Sequence, residues 1–468
     1  MDAQQSFLGK FFSWRGEVGR GFYVVAGLVL FALKWNIDRL LGHHFFSISW
    51  MPYSYLLPGM DLPTALKDRQ ALLLMLAGTA LPFIYVGVVL TVKRLRSLQV
   101  PRFLVGFFFV PFINLLFFAV LSVLPAKSRD RETDAGAEEV PPPNLLAHIV
   151  PRHPAAAFFF AAFAAVLPNF LLLWLSIYLF KEYGWGVFVG LPFVVGMLSA
   201  LLTGVHSKSG WGMCLGVAAF SSFAFGSMCL VLAMEGLICL AMAMPLAVPM
   251  SILGGVAAYF IQAAYHANRV PPVLLLGLLL LMGAESADDR EPVTFPVTST
   301  IEIDAPPEVV WRHVVSFHEL PPVEDWLFKA GLAYPVRAEI HGSGVGAVRH
   351  CVFSTGPFVE PITVWDEPRR LQFGVTKMPA PMEEWTFYDH VHPPHLDGYF
   401  RTTQGEFRLE PLPGGRTRLH GTTWYENDLW PANYWKWWSD LLIHRIHLRV
   451  LKHVSNLSEG DVSGIDPD

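Results

Sequence analysis

Between Asp389 and Asp397 the chain reads Asp-His-Val-His-Pro-Pro-His-Leu-Asp, which sets three histidines and two carboxylates within nine residues. Imidazole and carboxylate together suit zinc or iron, so His390, His392, His395 and Asp397 are candidate metal ligands. Their spacing is not that of a hydrolase or helical zinc motif, and Pro393-Pro394 stiffens the segment. A polar mouth to a cavity and a structural lid are therefore competing readings. A second chemistry is open to Glu426, which with Glu383, Glu384 or His392 could serve as a general acid or base. Alternation along a strand puts Trp424 and Glu426 on one face, so one points inward only if the other does. Aromatic residues are dense nearby. Trp385, Tyr388, Trp424, Trp435 and Trp438, with Glu426 and Leu442, are candidate lining for a site that takes an apolar ligand; a membrane interface or ordinary core would use the same residues. No Ser-His-Asp order, phosphate loop or nucleotide fingerprint accompanies them.

The elements that must position these groups begin with the last helix, roughly residues 429–457. Trp435, Trp438, Leu442, Ile446, Val450, Val454 and Leu457 advance in steps of three and four, a stripe expected to be buried. Lys436, Asp440, His444 and His447 form the one clearly polar strip. Upstream, Val297 to Ile303 alternates as a strand, and Pro306 to Phe317 reads as a helix opened by Asp304-Ala305-Pro306. Short strands follow at 336–341, 347–354, 359–365, 371–377, 405–411 and 416–425, with Gly414-Gly415 as a hairpin signal before the last. Strand, helix, meander and long helix make an α+β order.

That order, with Ile301-Glu302-Ile303-Asp304-Ala305-Pro306-Pro307-Glu308-Val309-Val310-Trp311, Gly344-Val345-Gly346, Trp365-Asp366-Glu367-Pro368-Arg369-Arg370-Leu371 and Pro413-Gly414-Gly415-Arg416-Thr417, resembles the START-like SRPBCC superfamily. This is the helix-grip fold of polyketide cyclase/dehydrase and lipid-binding proteins. The resemblance spans about residues 295–457 and implies a cavity between sheet and last helix that admits a hydrophobic molecule. It does not choose among carriers, cyclases and hydratases, which share the scaffold.

The remainder of the chain is apolar. With 53% hydrophobic residues and a mean hydropathy of +0.40, membrane spans are the natural explanation. A net charge of -5 with scattered basic residues excludes a nucleic-acid footprint. The four cysteines form no disulfide framework or CxxC pattern. Apolar runs near 22–41, 70–92, 103–124, 156–180, 186–205, 212–234, 236–264 and 268–284 give about eight spans, the last of them short. The first run leads into Lys34 without a small-residue cleavage site, so it reads as a retained span. Phe12-Ser13-Trp14-Arg15-Gly16, Arg20, Phe22, Tyr23, Arg94-Leu95, Pro111 and Leu124-Pro125 resemble the bacterial inner-membrane family called domain of unknown function 805, over about residues 7–125. That family implies no activity. Here Arg96-Ser97 and Arg102-Phe103 replace its usual His-Asp and Gly-Trp-Trp.

Two polar features interrupt the apolar runs. Glu235 beside Gly236 reads as a turn between spans or an intramembrane carboxylate, and Lys34 and Asp38 are one helical turn apart and could pair. No inverted repeat points to a transporter.

The expected architecture is thus a polytopic helical membrane region followed by an antiparallel sheet wrapped on a long helix. Its parts are a membrane block at 1–125, a charged Pro-rich linker at 126–154, a second membrane block at 155–285, the helix-grip domain at 295–457 and a tail at 458–468. The expected location is the bacterial inner membrane. Basic residues divide evenly between the two sides. Eight spans from an inside N-terminus return the C-terminal domain to the cytoplasm, the orientation taken here; seven leave it outside. The expected function is binding of a lipid or other hydrophobic small molecule beside the bilayer, with no cofactor. A cyclase or hydratase, metal-dependent or not, and an interaction module without ligand are the alternatives.

Overall fold

A computed structural model describes residues 7–55, 66–109, 113–124, 145–262, 270–287, 293–383, 386, 388, 393–396 and 398–463. The chain divides into two units, Met1–Ser227 with Ala243–Glu291, and Met228–Met242 with Pro292–Asp468.

The first unit is helical. Gln70–Ser97, Pro154–Phe180, Gly186–Thr203, Trp211–Val231 and Leu237–Ile261 are long and apolar enough to cross a membrane, the last turn of Trp211–Val231 and the first turns of Leu237–Ile261 belonging with the second unit. Eight spans were expected, and the other three runs differ for local reasons. Arg20–Phe46 is one helix, but Lys34, Asp38 and Arg39 interrupt its apolar character. Within the run at 103–124 the described elements are the 3-10 stretch Arg102–Phe109 and the helix Ile113–Val123, each too short to cross by itself. Val270–Ser286 is short. Lys34 and Asp38 do pair, and both are buried. Thr79 and Tyr55 donate to the Asp38 carboxylate at 2.8 and 2.6 Å, so the charge is stabilised by hydrogen bonds as well as by its cation. Arg94 donates to the carbonyls of Leu121, at 2.9 Å, and Leu124, closing the open end of the helix Ile113–Val123.

In the second unit seven antiparallel strands form one sheet in the order β1-β7-β6-β5-β4-β3-β2. They are β1 (Val293–Ile303), β2 (Pro335–His341), β3 (Val348–Phe353), β4 (Gly356–Asp366), β5 (Arg370–Gly374), β6 (Phe400–Leu412) and β7 (Arg416–Asn427). Gly414 and Gly415 both take positive φ, 83° and 72°, which gives the tight β6–β7 turn a backbone that side-chain-bearing residues resist. The helix Pro307–Val315 follows β1, and the long helix Ala432–Ser463 follows β7. Together they cover one face of the sheet, with Val310, Trp311, Val314, Val450, Leu451 and Val454 packed on Ile303, Cys351, Ile362, Leu371, Phe373, Leu409 and Leu419.

The long helix covers the sheet with two different surfaces. Its later half is apolar, through Val450, Leu451 and Val454. Its earlier half presents Ile443 together with the strip that sequence periodicity marks as polar. Tyr425 on β7 donates to Asp440 at 2.8 Å, and Lys436 pairs with the same carboxylate. His447 lies between Thr423 of β7, 2.7 Å from Nε2, and Ser299 of β1, 3.0 Å from Nδ1. His444 Nδ1 is 2.6 Å from the same Ser299 hydroxyl. A hydroxyl can donate or accept, so a neutral His447 ring finds a partner at both nitrogens. Burial, aided by His444, pushes its pKa down from 6.5 to about 4.

A histidine held neutral in the fold makes stability depend on pH. Once unfolded, His447 takes up a proton below about 6.5, whereas in the folded chain it stays neutral until about 4, so its contribution is present above 6.5 and lost as pH falls. The long helix should therefore open about 2 kcal/mol more readily at pH 5 than at pH 7. Hydrogen exchange on the whole chain, corrected for intrinsic rates, measures this. The difference should shrink in His447→Gln.

Candidate functional site

Strand alternation decides which side chains face the helices. On β7 the odd-numbered residues do so: Leu419 lies in the core, Thr423 meets His447, and Tyr425 meets Asp440. Trp424 and Glu426 therefore point to the opposite face, which corrects their assignment to the inner lining. Arg401 of β6 pairs with Glu426 at 2.8 Å on that outer face. Glu383 is exposed. Glu426 and Glu383 thus do not converge, and Glu384, His392 and Trp385 lie outside the described residues. Of the other candidate lining, Trp435 is buried, Trp438 and Leu442 are half-buried, and Tyr388 is exposed, its hydroxyl donating to the Val231 carbonyl. The buried line of the long helix runs through Trp435, Ile443, Val450, Leu451 and Val454. Leu442 and Ile446 fall beside it, because Tyr425, Ser299 and Thr423 draw the polar strip onto the sheet.

What the inner face does hold is a buried ion pair. Arg349 on β3 is directly opposite Glu360 on β4, the two side chains pair, and both are buried. Arg349 Nε also donates to the Val315 carbonyl at 3.2 Å. The guanidinium lies 5.7, 5.4 and 5.8 Å from the ring centres of Phe317, Phe373 and Phe407. Gly405, opposite Phe373 on the neighbouring strand, has no side chain to displace that ring. Burial pushes the Glu360 carboxyl above the usual carboxylate range and Arg349 draws it back. Arg349 Nη2 makes no hydrogen bond to nitrogen or oxygen among the described residues, and the neutral Cys351 thiol, a weak acceptor, stands beside the guanidinium. A buried donor in an aromatic surround is a point of attachment for one acceptor group on an otherwise apolar molecule. A sequence signal exists: Arg349 falls two residues before Cys351, in the apolar phase of its strand, where a charge has no place unless it is paired.

The histidine-rich segment gives one placed residue. His390, His392 and Asp397 lie outside the described residues. His395 is buried in the short 3-10 turn Pro394–Leu396, within the second unit. Its Nε2 is 3.0 Å from Cys239 Sγ, and its Nδ1 is 3.3 Å from Glu235 Oε2. Glu235 lies in the turn after the helix Trp211–Val231, and Cys239 in the first turn of Leu237–Ile261. Donor atoms of the three residues fall within 4.8 Å of one another, a grouping able to hold a metal ion. The spacing of Glu235 and Cys239, four residues apart at a break in apolar sequence, was the available signal.

Residues 294–436 match the family model described as polyketide cyclase / dehydrase and lipid transport. The C-terminal part of the chain is a domain of that family. Solved structures similar to the chain include a protein from Nitrosospira multiformis, at 18% identity over 35% of this chain and 96% of that one, with a TM-score of 0.23. A protein from Chromobacterium violaceum matches at 17% identity over 37% and 98%, TM-score 0.23. Norcoclaurine synthase from Thalictrum flavum, in complex with dopamine and hydroxybenzaldehyde, matches at 14% identity over 38% and 91%, TM-score 0.24. Likeness at these scores carries nothing about activity. No curated protein matches the chain.

The ion pair can be tested by unequal truncation. Arg349→Met should destabilise the domain by about 3–5 kcal/mol, because Glu360 is left buried and unpaired. Arg349→Met with Glu360→Leu should recover most of that loss. Hydrogen exchange in β3 and β4 reads both.

Proposed function

We propose that this is a membrane-anchored protein whose C-terminal domain binds a lipid or other hydrophobic small molecule between its sheet and its long helix. The supporting observation is the buried Arg349 on the inner face among aromatic rings, whose Nη1 pairs with Glu360 and whose Nη2 makes no hydrogen bond to nitrogen or oxygen among the described residues. A molecule that is apolar over most of its length, with one acceptor group, matches that surround. The aliphatic part replaces contacts among Phe373, Phe407 and Val450, and the acceptor satisfies the guanidinium.

Anchoring supplies the rationale for a tether. An apolar molecule leaves a bilayer reluctantly, and a domain fixed to the same chain as membrane helices works at high effective concentration. Five apolar helices support the membrane assignment. An inner-membrane location with the domain on the cytoplasmic side, and kinship of residues 7–125 with domain of unknown function 805, belong to the same proposal. The second is supported by the basic end of Gln70–Ser97, where Lys93 and Arg96 donate to the carbonyls of Gly9, Trp14 and Gly16. An enzymatic reading is less well supported, since Glu426 is paired on the outer face and Glu383 is exposed.

Solvent extraction and mass spectrometry of the whole chain, purified in detergent, tests the binding. One hydrophobic species enriched over the bulk membrane lipids is expected, and the Arg349→Met, Glu360→Leu pair should carry at least tenfold less of it. Equal amounts in both proteins, or bulk lipid only, would remove the proposal.

A further inference from the structure

The turn Leu232–Gly236, the first turn of Leu237–Ile261, the 3-10 turn Pro394–Leu396 and the bridge Leu332–Met382 each bring one side chain to a common point in the second unit. These side chains are Glu235, Cys239, His395 and Met382, all at 9% exposure or less. Cys239 Sγ is the centre. It lies 3.0 Å from His395 Nε2 and 3.8 Å from Met382 Sδ. Glu235 does not reach the same nitrogen; its Oε2 is 3.3 Å from Nδ1, on the far side of the ring.

That division of the imidazole assigns roles. The Glu235 carboxylate, 3.3 Å from Nδ1, favours the proton on that nitrogen and leaves the Nε2 lone pair for the sulfur. Thiol, thioether and imidazole then face one another. We propose that Cys239, Met382 and His395 bind a single cuprous ion, with Glu235 orienting His395.

Donor chemistry selects the ion. Two sulfurs and one imidazole form a soft set suited to Cu(I), whereas magnesium, calcium and manganese need oxygen ligands, and a thioether adds little to a zinc site. The spacing agrees. In a trigonal site with metal–sulfur bonds of ~2.3 Å, the two sulfurs sit roughly 4 Å apart, against 3.8 Å here. On binding, the thiol proton leaves to solvent, the ion takes its place between Sγ and Nε2, and their 3.0 Å separation opens by roughly 0.7 Å.

The same residues also stand in the order of a thiol nucleophile, its base and an orienting carboxylate. Met382 favours the ion, because a thioether against the sulfur has a part in metal binding and none in acyl transfer, and the thiol is nearly inaccessible to a substrate.

The test uses the whole chain in detergent, reduced and under anaerobic conditions, with Cu(I) delivered from a chromogenic chelator. One copper per chain is expected. Cys239→Ser and His395→Gln should abolish retention, Met382→Leu and Glu235→Gln should weaken it roughly 10–100-fold, and Cys351→Ser, remote in sequence and buried in the sheet's core, should retain it. X-ray absorption at the copper edge should show sulfur and nitrogen ligands in the wild type. Unchanged hydrogen exchange in β1–β7 distinguishes lost ligation from lost fold. Failure to retain copper, retention undiminished in Cys239→Ser, or alkylation of Cys239 outpacing that of Cys351 and unaffected by copper would overturn the assignment.

Discussion

The sheet has to be covered, and the helix that covers it is polar along half of the covering surface. That mismatch governs the second unit. An apolar helix face would close the sheet by burial alone, but Asp440, His444 and His447 need partners, so β1 and β7 supply Ser299, Thr423 and Tyr425 at the matching positions. Register is thereby fixed at this end of the sandwich by directional bonds. At the other end, Val450, Leu451 and Val454 pack without directional demands. A side chain on the inner face therefore sits in one of two environments, and the Arg349–Glu360 pair lies on the inner face, which also holds the apolar core, among aromatic rings.

Under the proposed binding, an apolar interior with one buried donor would discriminate by orientation as well as by hydrophobicity: a ligand lacking an acceptor would leave Arg349 Nη2 without a nitrogen or oxygen partner, at a cost of roughly 1–3 kcal/mol. Helices long and apolar enough to cross a membrane belong to the same chain. The Glu235, Cys239, Met382 and His395 group is a separate feature, drawn from the turn between two apolar helices and from the segment inserted before β6.

Much of this was legible in the sequence, and the failures have physical causes. Alternation located all seven strands, and Gly414-Gly415 located the last hairpin, because both signals are local. The phase of β7 was not local. Whether Trp424 or Tyr425 faces inward depends on which residue meets the helix, and an aromatic pair on adjacent positions satisfies either choice. In the helix stripe Trp435, Val450 and Val454 are buried as the periodicity predicts, and only the middle shifts, from Leu442 to Ile443: hydropathy alone sends Asp440 and His447 to solvent, while their partners lie 15 to 24 residues away in β7. His395 was legible as a ligand type. Its neighbour Cys239 stands 156 residues earlier, beyond any spacing rule. In the apolar region the run at 103–124 read as continuous, although Pro111 sits within it.

The claim on which the account rests is that an apolar molecule lies between the sheet and the long helix. Photolabelling the whole chain in lipid nanodiscs with a diazirine-bearing fatty acid, followed by peptide mapping, tests it most directly. Adducts are expected in the peptides containing Phe373, Phe407, Val450 and Val454. Adducts confined to the helices between residues 70 and 261 would contradict it.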